Sequence, residues 1–103
     1  MDKNKMIIPS DEVFTTSTRL TIMLILFIYK KVLLNELKNL LNLSSGNLNH
    51  HIQKLVKSNY VTTRKTIFPS RPLTVVEITP TGVNDFKKYL QKMKDILDQI
   101  TVD

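Results

Sequence analysis

The spacing of apolar residues changes at residue 59, and this change limits the folds that the chain can adopt. Before it, Ser44 is a suitable N-cap for a helix Ser45–Ser58, which has apolar side chains at helical spacing. The apolar stripe of this helix is Leu48, Ile52, Leu55 and Val56. After it, Tyr60–Ile67 alternates and is rich in Thr and Val, which is typical of a strand. The sequence therefore predicts an amphipathic helix followed directly by a β-strand.

The residues after this strand predict a hairpin. Pro69-Ser70-Arg71-Pro72 has the composition of a turn or loop tip, and Leu73–Thr79 predicts the returning strand. A short third strand is expected near Val32.

Three more helices are predicted, two before the helix Ser45–Ser58 and one after the hairpin. The first is capped by Ser17 or Thr18, runs to about Lys31 and is apolar on almost every side, so more than one of its faces should be buried. The second fits Leu33–Leu41, and the last runs from about Thr81 to Gln99 behind a proline in its first turn. The order helix, helix, turn, helix, strand, loop, strand, helix predicts a winged helix-turn-helix. The fold class is mainly α with a β-hairpin wing (α+β).

Length and composition favour one domain spanning residues 1–103, with a flexible arm at 1–10 and a C-terminal dimerisation helix at 81–100. The absence of cysteine excludes disulfides and thiolate zinc sites. The longest apolar run, Leu20–Tyr29, is far shorter than the ~20 residues that span a bilayer. The N-terminus lacks a secretory pattern, so we expect a cytoplasmic protein without a membrane association.

The positive charge is concentrated in one segment. Between Glu36 and Glu77 there is no acidic residue, whereas six basic residues occur there. The rest of the chain has nine basic and nine acidic residues, so the formal charge of +6 lies entirely in this segment. A polyanion binder needs its charge gathered in this way, because each neutralised phosphate releases counterions.

The segment Leu43–Leu55 resembles the recognition-helix motif of small winged-helix (MarR/ArsR-like) transcriptional regulators of archaea and bacteria. It carries their Gly-Asn-Leu-x-x-His-x-x-x-Leu signature at residues 46–55. Thr18-Arg19-Leu20 and Ile78-Thr79-Pro80-Thr81-Gly82 are also similar to that family, and the resemblance covers roughly residues 14–97. One departure is Asn59-Tyr60, where the family commonly has Gly-Tyr; Asn tolerates the left-handed conformation next best. The resemblance implies transcriptional control through duplex DNA.

The polar side of the third helix is the candidate reading face. We define this face by Gly46, Asn47, Asn49, His50, Gln53, Lys54 and Lys57. Amides can pair bidentately with adenine, and Lys and His can donate to guanine or phosphate. Ser45 and Gly46 would let the helix N-terminus approach a phosphate closely. The plainer interpretation is a solvated helix face.

Three basic residues, Arg64, Lys65 and Arg71, mark the wing. Wing residues of this type contact flanking phosphates or enter the minor groove. Alternatively, they only protect an edge hairpin from strand pairing.

The last helix carries apolar residues at steps of three and four, which predicts a coiled-coil seam. Together with the first helix it suggests a homodimer. The candidate interface residues are Leu20, Leu24, Phe27, Val83, Phe86, Leu90, Met93 and Leu97.

No catalytic, metal or cofactor site is expected. His50 and His51 are adjacent and point about 100° apart, so they cannot hold one metal together, and His51 is expected to hydrogen-bond within the fold. The favoured function is sequence-specific binding of duplex DNA by a homodimeric regulator, with any effector ligand unspecified. A winged helix used for protein assembly in transcription or replication machinery remains an alternative, as does a non-specific, chromatin-type DNA binder.

Overall fold

The computed structural model describes residues 12–67 and 71–101. The predicted arm at 1–10 and the tip residues Pro69 and Ser70 lie outside this range. The elements in chain order are α1 (Glu12–Thr15), α2 (Ser17–Tyr29), β1 (Lys31–Leu33), α3 (Leu34–Leu41), α4 (Ser45–Lys57), β2 (Val61–Ile67), β3 (Pro72–Ile78) and α5 (Pro80–Thr101). This order confirms the predicted winged helix, which is mostly helical with a small antiparallel sheet.

The sheet has three strands in the order β1-β3-β2, and both pairings are antiparallel. Val32 lies opposite Val76, so the third strand expected near Val32 is present. The strand forms because α2 ends earlier than predicted, at Tyr29. Lys30 adopts φ 72°, donates its N–H to Leu26 O at 2.8 Å, and accepts at its own carbonyl from Ile78 N at 3.0 Å.

The short helix α1 was not predicted, because four residues are too few to show a helical period. Its Phe14 is fully buried and lies at the centre of an aromatic cluster. The ring centroid of Phe14 is 4.7 Å from that of Tyr60, 5.1 Å from Phe86 and 5.2 Å from Tyr89. These contacts join α1, the turn after α4, and α5 in one core.

The turn after α4 fixes the start of α5. Asn59 takes the left-handed conformation expected of it, with φ 65°. Its carbonyl accepts from Thr79 Oγ1 at 2.7 Å, and that hydroxyl accepts in turn from Gly82 N at 2.8 Å. Thr79 N donates to Tyr60 O at 2.9 Å. The end of α4 and the beginning of α5 are therefore held together by hydrogen bonds.

The second half of α5 extends beyond the core. The molecule measures 58 × 26 × 21 Å, and α5 alone has 22 residues, about 33 Å of helix. The buried residues of α5 are Gly82, Phe86 and Tyr89, all in its first half. Apolar side chains farther along are exposed: Met93 by 38%, Leu97 by 55% and Ile100 by 62%.

Replacing Gly82 by alanine should destabilise the fold by about 1–3 kcal/mol, the usual cost of overpacking. A Cβ there would collide with Tyr60 O and lie 2.9 Å from Ile78 Cγ1. Gly46 is the matched control, because a Cβ at that position meets nothing within 4 Å. We expect Gly46→Ala to be neutral or stabilising by up to ~1 kcal/mol. Urea unfolding of both variants measures the difference. Equal stabilities would contradict the close packing of Gly82 against Tyr60 and Ile78.

Candidate nucleic-acid interface

The start of α4 is fixed by its N-cap. Ser44 is extended (φ −69°, ψ 157°), and its Oγ accepts from Asn47 N at 3.1 Å, as the sequence predicted. The first turn of α4 contains no acidic side chain. The positive end of the helix dipole therefore faces outward without a carboxylate to neutralise it.

The two sides of α4 separate as expected. Leu48, Ile52 and Leu55 are at most 1% exposed and face the core. Ser45 and every member of the reading face are exposed, namely Gly46, Asn47, Asn49, His50, Gln53, Lys54 and Lys57. Apolar packing thus anchors one side of the helix and leaves the amides, the imidazole and the two ammonium groups open to solvent.

The wing does not bring its basic residues together. Arg64 and Lys65 are consecutive in β2, opposite Val75 and Thr74, so they project from opposite faces of the sheet. Arg64 lines an open cleft of about 480 Å³ together with Lys31 and Glu36. Lys65 is on the same side of β2 as Val61, which is buried in the core. Arg71 is exposed directly before β3.

A buried arginine connects α4 to the preceding helices. Arg19, 8% exposed, donates from Nε to Val13 O at 2.8 Å and from Nη2 to Thr16 Oγ1 at 2.7 Å. Its Nη1 lies 3.1 Å from Nδ1 of His51. The predicted internal hydrogen bond of His51 is therefore present. The role of Arg19 could not be deduced from the residues. The signals were a charged residue at the start of an otherwise apolar helix and the similarity of Thr18-Arg19-Leu20 to the family.

The environment of His51 disfavours its charged form. Burial lowers the pKa of His51 below its ordinary value of 6.5, and the positive charges of Arg19, His50 and Lys54 lower it further. His51 is therefore an uncharged hydrogen-bond acceptor at neutral pH.

The candidate interface residues of the first and last helices differ in exposure. Leu24, Met93 and Leu97 are exposed, whereas Leu20, Phe27, Val83 and Leu90 are partly buried against the core. The inclusion of Phe86 in an interface was wrong. Its side chain is fully buried within the same chain, 5.1 Å from Phe14 and 5.7 Å from Phe27 between ring centroids, because the first half of α5 packs on its own domain.

Other kinds of site were also considered. Among residues 12–67 and 71–101, no three His, Asp or Glu side chains lie together as a metal site would need. No helix in the same residues is long and apolar enough to cross a membrane.

The chain belongs to the winged helix DNA-binding domain family, whose pattern matches residues 18–97. It is 33% identical over 89 residues to an uncharacterized protein of Methanocaldococcus jannaschii, covering 86% of this chain and 97% of that one. The structure of a transcriptional regulator homologue from Pyrococcus horikoshii OT3 is similar, with a TM-score of 0.84, 33% identity and coverage of 90% and 92% of the two chains.

The fold is shared with MarR-family transcriptional regulators. A MarR mutant from E. coli, solved in complex with operator DNA, superposes with a TM-score of 0.69 at 20% identity. The match covers 82% of this chain and 59% of that one.

Proposed function

We propose that this chain binds double-stranded DNA sequence-specifically as a homodimeric transcriptional regulator. In this proposal α4 enters the major groove and the wing contacts the flanking backbone. The observation that carries the proposal is the reading face: seven exposed residues without a carboxylate, on a helix whose other side is locked into the core.

The dimensions and chemistry of α4 support this role. Its 13 residues make a helix of about 20 Å, and a helix fits the major groove, which is about 12 Å wide. Asn49 and Gln53 are four residues apart, so their amides lie on one line along the helix and can address neighbouring base pairs. Lys57 continues that line one turn later, where an ammonium group suits a phosphate.

Gly46 supports the proposal from a different direction. A side chain at this position would meet nothing within 4 Å, so the packing of the domain does not require a glycine there. A missing side chain at the N-terminus of a helix lets a phosphate approach the backbone amides closely. We therefore assign Ser45 and Gly46 to backbone contacts, and Asn47, Asn49, His50, Gln53 and Lys54 to the floor and walls of the groove.

Exposed apolar residues support the dimer. Met93, Leu97 and Ile100 lie at helical spacing on the protruding half of α5, and Leu24 and Ile28 are exposed on α2. We assign the interface to these residues, flanked by Leu20, Phe27, Val83 and Leu90, because apolar strips of this kind mark surfaces that bind another protein. A two-fold dimer would present two copies of α4 to half-sites about 10 base pairs apart.

Binding to duplex DNA should weaken steeply with salt, since the charge of the segment 37–76 is directed at phosphates. If a dimer makes about 6–10 phosphate contacts, affinity should fall about 10³–10⁵-fold between about 50 and 200 mM salt. Fluorescence anisotropy with a labelled duplex selected from random DNA measures this slope. Absence of binding, or a flat salt titration, would overturn the proposed function and favour a protein-assembly role.

Substitutions of the amides and of the cations should affect DNA binding differently, the first changing sequence specificity and the second changing affinity for all sequences. Asn49→Ala and Gln53→Ala should each reduce discrimination at particular base pairs by ~1–3 kcal/mol. Lys57→Ala and Arg71→Ala should weaken binding to all sequences alike. Asn39→Ala, an exposed amide on α3, is the control without effect. Competition between selected and random duplexes provides the measurement; equal losses on both duplexes for the amide variants would favour a non-specific binder.

Leu97→Asp should shift the dimer toward monomer, because it places a charge in the apolar strip of α5. Gln99→Asp introduces the same charge at an exposed position outside the strip, and should leave the mass unchanged. Light scattering at tens of micromolar protein compares the two. A wild-type chain that is monomeric at that concentration would refute the dimer.

A further inference from the structure

The hydrogen bond between Arg19 and His51 is the part of the structure that neither the reading face nor the dimer explains. It joins the start of α2 to the middle of α4, and the same guanidinium also donates to Val13 O of α1 and to Thr16 Oγ1. One buried group thus connects the recognition helix to two other elements by polar contacts of fixed direction.

The chemistry of this bond depends on the proton state of His51. A guanidinium can only donate, so Nδ1 must be the acceptor and the proton of the neutral ring must be on Nε2. When Nδ1 gains a proton it becomes a donor, and the bond to Arg19 cannot form. The guanidinium of Arg19 and the imidazolium of His51, whose nitrogens lie 3.1 Å apart in the hydrogen-bonded form, then repel each other.

The surroundings of His51 disfavour its protonation. The charged groups that act on it are Arg19 from α2, and His50 and Lys54 from α4 itself, all cationic when charged. The pKa of His51 is therefore lower in the folded chain than in the unfolded one, where it is about 6.5. The contribution of neutral His51 to the free energy of unfolding is complete above about pH 6.5. It is lost as the pH falls through the lower pKa of His51 in the folded chain.

His51 also lies within reach of the reading face along the helix. Asn47 is one turn before it and Lys54 three residues after it, and both are exposed. A displacement of α4 at residue 51 would therefore move the side chains that are proposed to enter the groove.

We propose that Arg19 and His51 are positioning residues for the recognition helix, and that protonation of His51 releases the helix from its DNA-binding position. Mild acid then weakens DNA binding by displacing α4, without changing a side chain that contacts the DNA. This inference rests on the proposed function, since it describes control of the same DNA-binding surface.

A second imidazole lies next to His51 on the same helix. His50 is exposed on the reading face, where any contact that it makes with DNA would be measured together with the effect of His51. The chain has two histidines, so His50→Gln leaves His51 as its one imidazole. The effect of His51 can then be measured alone.

The experiment compares three chains that all carry His50→Gln: one with His51, one with His51→Asn and one with His51→Leu. The asparagine carbonyl replaces Nδ1 as an acceptor for Arg19 but does not titrate, whereas leucine removes the acceptor at every pH. We expect the His51 chain to lose affinity progressively relative to the His51→Asn chain as the pH falls from about 7.5 to 5.5. The loss should not exceed about tenfold, because the pKa of His51 lies below 6.5 and therefore less than about one unit above the final pH. The His51→Leu chain should bind weakly at both pH values.

Circular dichroism at each pH checks that all three chains remain folded during the binding measurement. Parallel pH profiles for the His51 and His51→Asn chains would overturn the proposal while leaving the proposed DNA binding intact. If none of the chains binds DNA, the proposed function fails, and the amide NMR signals of α4 decide the remaining question. Signals that shift together in acid with His51, but not with His51→Asn, support the positioning role; signals that do not shift refute it.

Discussion

The structure depends on the burial of Phe14, a residue of a four-residue helix, between the turn that follows α4 and the first half of α5. Three aromatic rings contact it with centroid distances of 4.7 to 5.2 Å. Removing a buried ring of this size costs ~3–5 kcal/mol, a large share of the total stability of a small domain. Since the same ring contacts the turn after α4 and the first half of α5, the position of the exposed face of α4 relative to the protruding half of α5 depends on this packing.

Much of the fold was predictable because its information is local. The helical stripe of Leu48, Ile52 and Leu55, the cap at Ser44 and the strand after residue 59 each depend on neighbours in the chain, and the structure has all three. The exposure of the reading face follows from the same period. In contrast, α1 is too short to produce a pattern, and its importance comes from distant contacts that no local spacing reveals.

What the sequence could not show about the candidate sites has the same origin. The spacing of three and four along α5 gives one apolar stripe, but it does not say that Phe86 meets the core of its own domain while Leu97 is exposed. The alternation of β2 separates Arg64 from Lys65, which a count of wing charges treats as one group. Arg19 and His51 are 32 residues apart, and only the folded chain brings their nitrogens to 3.1 Å. A periodic pattern predicts which residues share a face, but what covers that face is decided by tertiary packing.

The two glycines show how fold and function can be separated in a chain of this size. Gly82 is required by packing, because a Cβ there would overlap the backbone of Tyr60 at the junction between α4 and α5. Gly46 has open space around it and sits in the first turn of a helix, where glycine costs more conformational entropy than alanine would. Among the residues that the structure describes, none lies within 4 Å of a Cβ at this position, so packing does not offset that cost. The residue is therefore best explained by something outside the domain that must approach the amides of α4 closely, and the acid-free surface around it favours an anion. The open space at Gly46 and the family resemblance thus indicate the same surface independently.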